Sequence, residues 1–281
     1  MANRFFMKYP GGKSKALTFN YDDGVEQDAR LIEIFNKYGL KGTFNLNSGR
    51  FVPEGTVFEE GRIHRVMTKS HAVEVYSQGG HEVACHGVEH SYLDSLPPSA
   101  MAMDILNDRL ALEEMFGRIV RGHAYAYGVY NEESVACLKT CGIVYARKTG
   151  ASENFSMPKN WLELVPTCHH KNPRLMELGE KFVNSKERRP LFFMVWGHSY
   201  EFEKNDNWQV IEDFARLISG KEDIWYATTG EIYDYVQDFN RLIYSADGRI
   251  VYNPTARTLW FESHLTDGEV VTIDPGQTLK F

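Results

Sequence analysis

The 281-residue sequence has no apolar run approaching the 18 or so residues of a membrane-crossing helix, and no internal repeat. With 10 prolines and 23 glycines it is neither collagen-like nor low in complexity. Its four cysteines, Cys85, Cys137, Cys141 and Cys168, are too few and too irregular for a disulfide framework, and Cys137 and Cys141, four apart in a helix-like stretch, are expected to be reduced and partly buried. There is no excess of positive charge. The net charge is −7 and no basic stripe runs through the chain, which removes the electrostatic case for a nucleic-acid partner. Lys186-Glu187-Arg188-Arg189 reads as a solvated loop. The stretch Met1–Pro10 lacks the apolar segment of an export signal. A soluble, cytoplasmic protein with no membrane partner is therefore expected, a trimmed secreted form being the alternative.

What is present is ordinary globular composition, 43% hydrophobic and 25% charged, in a chain long enough for a large core. Short apolar runs alternate with amphipathic stretches. Strands are predicted at 15–20, 42–46, 81–85, 119–124, 143–146, 191–198 and 224–228. Helices are predicted at 28–38, 65–78, 99–116, 132–141, 208–219 and 231–239. Repeated strand–helix alternation predicts an α/β fold with a parallel sheet, as a barrel or an open sheet. Beyond residue 241 the pattern turns to alternation with a hairpin at Ala246-Asp247-Gly248-Arg249. Residues 1–240 are thus assigned to a catalytic unit, and 241–281 to a small C-terminal β appendage packed on it, forty residues being too few to fold alone.

Polar residues cluster where the strands end, the position at which α/β folds build their sites. Asn20-Tyr21-Asp22-Asp23-Gly24 puts two carboxylates side by side. A cation on one relieves their repulsion and leaves the other free as a base, although Asp-Asp-Gly is also an ordinary turn. His86-Gly87-Val88-Glu89-His90 puts two histidines at i and i+4, on one face if the segment is helical. Two histidines and one carboxylate leave coordination positions open, which is a catalytic rather than a structural set. Trp196-Gly197-His198 ends the most apolar strand with a histidine able to protonate a leaving group. Arg121-Gly122-His123-Ala124-Tyr125-Ala126-Tyr127-Gly128 ends another strand in a turn whose backbone N–H groups can face an oxyanion.

Together, and in this order over roughly residues 14–240, these clusters resemble the polysaccharide deacetylase family, carbohydrate esterase family 4, also called the NodB-homology domain. The family's Thr-Phe-Asp-Asp-Gly is matched by Thr18-Phe19-Asn20-Tyr21-Asp22-Asp23-Gly24, with two residues inserted. Its His-x-x-x-His motif is matched by His86 and His90, and its late Leu-x-His by His198. Its Arg-Pro-Pro-Tyr-Gly is replaced by Ala124–Gly128, so the arginine that orients the base is missing there, and Arg121, three residues earlier, is the candidate substitute.

The resemblance implies a distorted (β/α)7-type barrel and metal-dependent removal of acetyl groups from a carbohydrate, at nitrogen or oxygen. It implies Asp22 as base, His198 as acid, and the Tyr127 N–H as oxyanion donor. Asp23, His86 and His90 would hold a divalent metal, zinc first, with cobalt, nickel or manganese as alternatives. The partner is then an acetylated sugar or oligosaccharide. Tyr21, Tyr92, Tyr125, Trp196 and Tyr200 are candidates for stacking on sugar rings. Trp161–Leu164 and Thr167–His170 stand in the region of the family's Asp/Trp motif without matching it, and His169-His170 is expected to be a surface pair. Three alternatives remain open here. One is a catalytically inactive carbohydrate-binding member, another a deacylase of a small non-sugar amide. The third, a non-haem Fe(II) oxygenase using the same triad, is disfavoured by the strand–helix alternation.

Overall fold

In the computed structural model, which describes residues 5–281, the alternation folds into one curled sheet surrounded by helices. In chain order the elements are β1 (Phe5–Lys8), β2 (Lys15–Asp22), α1 (Asp28–Lys37), β3 (Gly42–Leu46), α2 (Lys69–Tyr76), β4 (Glu82–Cys85), α3 (Pro98–Phe116), β5 (Gly122–Ala124), α4 (Glu132–Thr140) and β6 (Tyr145–Arg147). There follow β7 (Cys168–His169), α5 (Leu175–Asn184), β8 (Leu191–Gly197), α6 (Tyr200–Lys204), α7 (Gln209–Ile218), β9 (Ile224–Tyr226) and α8 (Thr229–Asn240). The chain ends in β10 (Ile243–Tyr244), β11 (Ile250–Tyr252), β12 (Leu259–Ser263), β13 (Val270–Ile273) and β14 (Thr278–Lys280). The first four residues of the stretch read above for an export signal lie outside the described residues. No described helix is long and apolar enough to cross a membrane.

Seven parallel strands follow the order β6-β5-β4-β3-β2-β8-β7, and β9 joins β2 at Lys15–Leu17, below the point where β3 pairs with it. The two ends of this path meet. Leu164 N–H donates to Ala146 O (2.9 Å) and Lys148 N–H to Leu164 O (3.0 Å), and three residues later Thr167 N–H donates to Met194 O (2.9 Å). The segment 164–169 therefore bonds to β6 with its first residues and to β8 with its last, giving the curled (β/α)7-type barrel.

β2 is buried along its whole length. Leu17, Phe19 and Tyr21 join the core beneath the helices. Asn20 and Asp22, on the other face, meet polar side chains from across the barrel. Strand alternation thus sends one set of residues to the apolar shell and the other to a polar lumen. The surrounding helices bury apolar stripes in the usual way. In α7 these are Ile211, Phe214, Ala215 and Ile218, each large side chain contributing about 1.5–3 kcal/mol.

The C-terminal residues form two three-stranded antiparallel sheets, β10-β11-β14 and β1-β12-β13. The second takes its edge strand from the amino terminus, Phe5 facing Ser263 and Lys8 facing Trp260. Val251, Leu259, Phe261 and Ile273 pack with Ala16, Phe192 and Met194 of the barrel and with Ile232 and Tyr235 of α8. That contact lies at the amino-terminal ends of β2 and β8, so the opposite mouth stays clear.

One predicted helix is shorter than its periodicity suggested. Instead of beginning at 65, α2 begins at Lys69. Residues 65–67 run antiparallel to the turn after β2, with Glu26 N–H donating to Arg65 O (2.7 Å) and Met67 N–H to Gly24 O (2.9 Å).

Candidate active site

Asp22 is the last residue of β2, and Asp23 turns away from it with a left-handed φ of 84°, held by its own N–H on Asn45 O (3.1 Å). Such a conformation costs an L-residue of order 1–3 kcal/mol and persists only where the surroundings impose it. His86 directly follows β4. Its segment is a loop rather than the helical turn that would put i and i+4 on one face. Left-handed residues at Gly87 (φ 80°) and His90 (φ 57°) curl it, and the two imidazoles still meet, with centroids 4.6 Å apart. Asp108 of α3 holds this loop from beneath. Its fully buried carboxylate accepts from Ser48 N–H (2.8 Å), His86 N–H (3.0 Å) and Gly87 N–H (3.0 Å).

Partner chemistry sets the proton positions. His86 Nδ1 lies 2.7 Å from Ala124 O, which can only accept, so Nδ1 carries the hydrogen and Nε2 presents a lone pair. His86 Nε2 and His90 Nε2 each stand 3.8 Å from Asp23 Oδ1, a buried oxygen with no hydrogen-bond partner. Burial, then the neighbouring His86, lower the His90 pKa to about 4, so its imidazole is neutral at pH 7. Asp23, His86 and His90 thus each bring a donor atom to within 4.8 Å of the others. Without a cation they repel, and as two imidazoles and one carboxylate they suit a divalent ion of the zinc type.

Asp22 is held differently. Its Oδ1 accepts from Asn45 Nδ2 (2.7 Å), and its Oδ2 is paired with the Arg147 guanidinium of β6. Arg147 is wholly buried, donates through Nε to Asn20 Oδ1 (2.7 Å), and lies over the Trp196 ring at 4.5 Å. Burial by itself would raise the Asp22 pKa, but Arg147, helped by His86 and His198, lowers it below the ordinary carboxylate value and favours the ionised form. Arg121, expected to stand in for the family's missing arginine, is not in the site. It precedes β5, at the end of the strand away from the mouth, and its Nη2 donates to Asp234 of α8 (2.7 Å). A residue entering a barrel strand cannot reach the groups that leave it.

His198 stands between two carboxylates, Nε2 being 3.9 Å from Asp22 Oδ2 and Nδ1 3.8 Å from Glu201 Oε1. Burial disfavours its charge, but Glu201, Asp22 and Asp23 prevail and raise its pKa above the ordinary histidine value. Glu201 also gathers Lys171 Nζ (2.6 Å), His170 Nε2 (3.1 Å) and His169 Nε2 (3.3 Å). His169, His198 and Glu201 form a second set of close donors. Here Lys171 N–H donates to His169 Nδ1 (3.1 Å), so the proton of a neutral His169 sits on Nε2, facing the carboxylate. With that nitrogen protonated, the three residues do not offer a set of free lone pairs. The expectation of a surface histidine pair is corrected: His170 is buried, between Tyr21, Phe202 and the backbone of Gly197.

At the rim, Tyr127 adopts φ 59°, packs edge-on against His90 and stacks on Tyr92 at 4.1 Å, both tyrosines being about half exposed. Tyr21 and Tyr125 are buried and bonded to His170 and Leu162 O, and Trp196 is covered by Arg147, so none of the three presents a free ring face. Tyr200 meets His64 edge-on at 4.9 Å.

The structure therefore brings together Asp22, Asp23, His86, His90, Tyr127 and His198, and leaves Arg121 out. It adds Arg147, Asp108, Glu201 and His64. Two of these carried a signal in the sequence. Asp108 interrupts the apolar stripe Met101, Ile105, Leu112 of α3, and Arg147 ends a strand that is otherwise buried.

A family model described as polysaccharide deacetylase matches residues 8–146. Among solved structures, a Mycobacterium smegmatis protein described as a candidate polysaccharide deacetylase aligns with TM-score 0.60 and 17% identity, over 84% of this chain and 94% of that one. A family 4 carbohydrate esterase from Streptomyces lividans, in complex with acetate, aligns with TM-score 0.50 and 13% identity over 75% and 91%. A family 4 acetyl xylan esterase from Clostridium thermocellum, in complex with a cobalt ion, aligns with TM-score 0.50 and 11% identity over 78% and 90%. At these identities the likeness is one of fold. A search of curated proteins gave no match.

Proposed function

The chain belongs to the polysaccharide deacetylase family, and from that premise we propose that it is a divalent-metal-dependent hydrolase that removes acetyl groups from a carbohydrate. The observation that carries this reading is the convergence of Asp23 Oδ1, His86 Nε2 and His90 Nε2 beside the Asp22 carboxylate paired with Arg147. A divalent ion, zinc first, held by these three supplies Lewis acidity toward the acetyl oxygen and lowers the pKa of water. The cobalt ion of the Clostridium thermocellum esterase is in keeping with such a donor set.

The chain's own residues account for the proton movements. Asp22 accepts the proton of the attacking water, and Arg147 keeps it ionised for that task. His198, whose charged form Glu201 and Asp22 favour, donates to the departing sugar nitrogen or oxygen. The acid and base atoms are 3.9 Å apart. The Tyr127 N–H is the proposed oxyanion donor, a contribution typically worth about 2.7–4 kcal/mol. The arginine missing from the turn at 124–128 does not argue for an inactive protein, because Arg147 supplies its charge from another strand.

The test is acetate release from N- and O-acetylated sugars, oligosaccharides and xylan, with and without chelator. Release that chelator abolishes and zinc or cobalt restores is the expected result. Release indifferent to chelator overturns the metal mechanism, and no release from any substrate overturns the enzymatic reading.

A further inference from the structure

Between β3 and α2 the chain makes a long excursion, residues 47–68, without a helix or strand of its own. Its outer part is exposed, but its return limb is firmly tied. Gln27 Nε2 donates to Ile63 O (2.6 Å), Glu26 N–H to Arg65 O (2.7 Å), and Met67 N–H to Gly24 O (2.9 Å). Arg65 forks onto both oxygens of Glu203 on α6, at 2.7 and 2.8 Å. This limb carries His64 to the site. Its Nε2 lies 3.1 Å from Asp23 Oδ2, and its ring rests edge-on against Tyr200.

We propose that His64 is a positioning residue for the metal-binding carboxylate: by donating from Nε2 to Asp23 Oδ2, it turns Oδ1 toward His86 and His90. This rests on the reading of Asp23, His86 and His90 as the metal donors. An ionised carboxylate can only accept, so the hydrogen in this contact belongs to His64, and its Nε2 has no lone pair to offer a cation. Consistently, His64 is not among the donors that lie within 4.8 Å of one another. The two oxygens of Asp23 are thereby divided: Oδ2 is satisfied by His64, and Oδ1 is buried and unpartnered. A carboxylate so divided binds through one oxygen, which keeps positions open for water and the acetyl group. The need for such a clamp follows from the backbone. Asp23 sits at φ 84° after the strand has ended, where the sheet no longer fixes side-chain direction. Because Arg65 is anchored on α6, the same limb ties the metal half of the site to the helix bearing Glu201.

The experiment measures Co²⁺ and Zn²⁺ affinity of the full chain by competition with a chromophoric chelator, together with the visible spectrum of the cobalt form. Three variants are compared: Asp23→Asn, His64→Leu and His64→Gln. Removal of a group that orients a metal ligand typically weakens binding about 10–100-fold, and His64→Leu is expected to fall in that range. His64→Gln, whose amide can still donate, is expected to stay near wild type, a rescue that a merely structural role would not give. If His64→Leu binds as tightly as wild type with an unchanged cobalt spectrum, while Asp23→Asn loses the metal, the role of His64 is overturned and the donor assignment stands. If Asp23→Asn binds cobalt like wild type, the donor assignment fails and this inference with it. Should His64→Leu not melt cooperatively, the comparison of His64→Gln with His64→Ala decides on the same terms.

Discussion

Arg147, at the end of β6, is ion-paired with Asp22, at the end of β2, and both side chains are almost wholly removed from solvent. Removing one member of a buried pair typically costs about 3–5 kcal/mol, because the other charge is left uncompensated. The pair is also cross-braced. Asn20 receives Arg147 Nε while Asn45 donates to both Asn20 and Asp22. The position and the ionisation of the proposed base therefore depend on a residue far along the chain.

Substituting Arg147→Met should lower kcat/KM at pH 7 by about 10²–10⁴-fold, the usual worth of general base catalysis. With its guanidinium gone, burial is opposed only by His86 and His198 and the Asp22 pKa rises, so the acidic limb of the pH–rate profile moves to higher pH. Arg147→Lys keeps the charge but loses the fork, and should fall between. An unmoved acidic limb in Arg147→Met would show that the guanidinium does not set the ionisation of Asp22.

Arg121→Gln, by contrast, should leave kcat/KM within about twofold. Its pair with Asp234 is partly exposed, so the expected loss of stability is at most about 1 kcal/mol. A loss of activity comparable to that of Arg147→Met would return Arg121 to the catalytic machinery.

Buried Asp28 has its pKa pushed up to about 7 by desolvation, against the hydrogen bond from Tyr76. An unfolded aspartate titrates near 3.9. Between these values the native state holds a proton that the unfolded state has lost. Its stabilising contribution is therefore complete below about pH 4 and is lost as pH rises through about 7, by up to about 4 kcal/mol. Asp28→Asn removes this dependence. Urea unfolding at pH 5 and pH 8 should show the variant gaining on wild type at the higher pH. A difference that is the same at both pH values would contradict the assignment.

Gly197 separates Trp196 from His198 and has no room for a side chain, since a Cβ there would stand 2.1 Å from His170 Nδ1. Because His170 is packed on both sides, Gly197→Ala should cost about 1–3 kcal/mol. It should also depress kcat, by displacing His198 next to it. Thermal melts and initial rates check the two effects separately, and a variant as stable and as fast as wild type refutes the clash.

Metal should stabilise as well as activate. At a free concentration 100 times Kd, a ligand bound only by the native state adds about 2.7 kcal/mol. Zinc or cobalt should therefore raise Tm by several degrees in wild type, and chelator should reverse the rise. Asp23→Asn should show no such rise. An equal rise in both would place the ion elsewhere.

The fold was largely legible because its signals are local. Apolar strand runs and helix periodicity mark the parallel α/β alternation without knowledge of any distant contact. Among the missed elements, α5 carries a local amphipathic pattern, Leu175, Leu178 and Phe182, that the predicted helices omit, whereas β1 is four residues whose partner is more than 250 positions away, and 65–67 follows a helical period but pairs with Gly24–Glu26 instead. At the site, Asp22-Asp23, His86/His90 and His198 stood out because each motif is contiguous and ends a strand. The residues that tune them did not.

By itself, then, the sequence determined which groups could do chemistry and that they leave the same end of a parallel barrel. Chain proximity and strand polarity suffice for both. Only the tertiary structure decided their partners: Arg147 rather than Arg121 for Asp22, Glu201 for His198 together with a buried His170, and His64 for Asp23. Those pairings depend on how far the sheet curls, on the register of strands that are not neighbours in sequence, and on where a long excursion returns. A buried charge must find its counter-charge across the barrel, and spacing along the chain does not encode that distance.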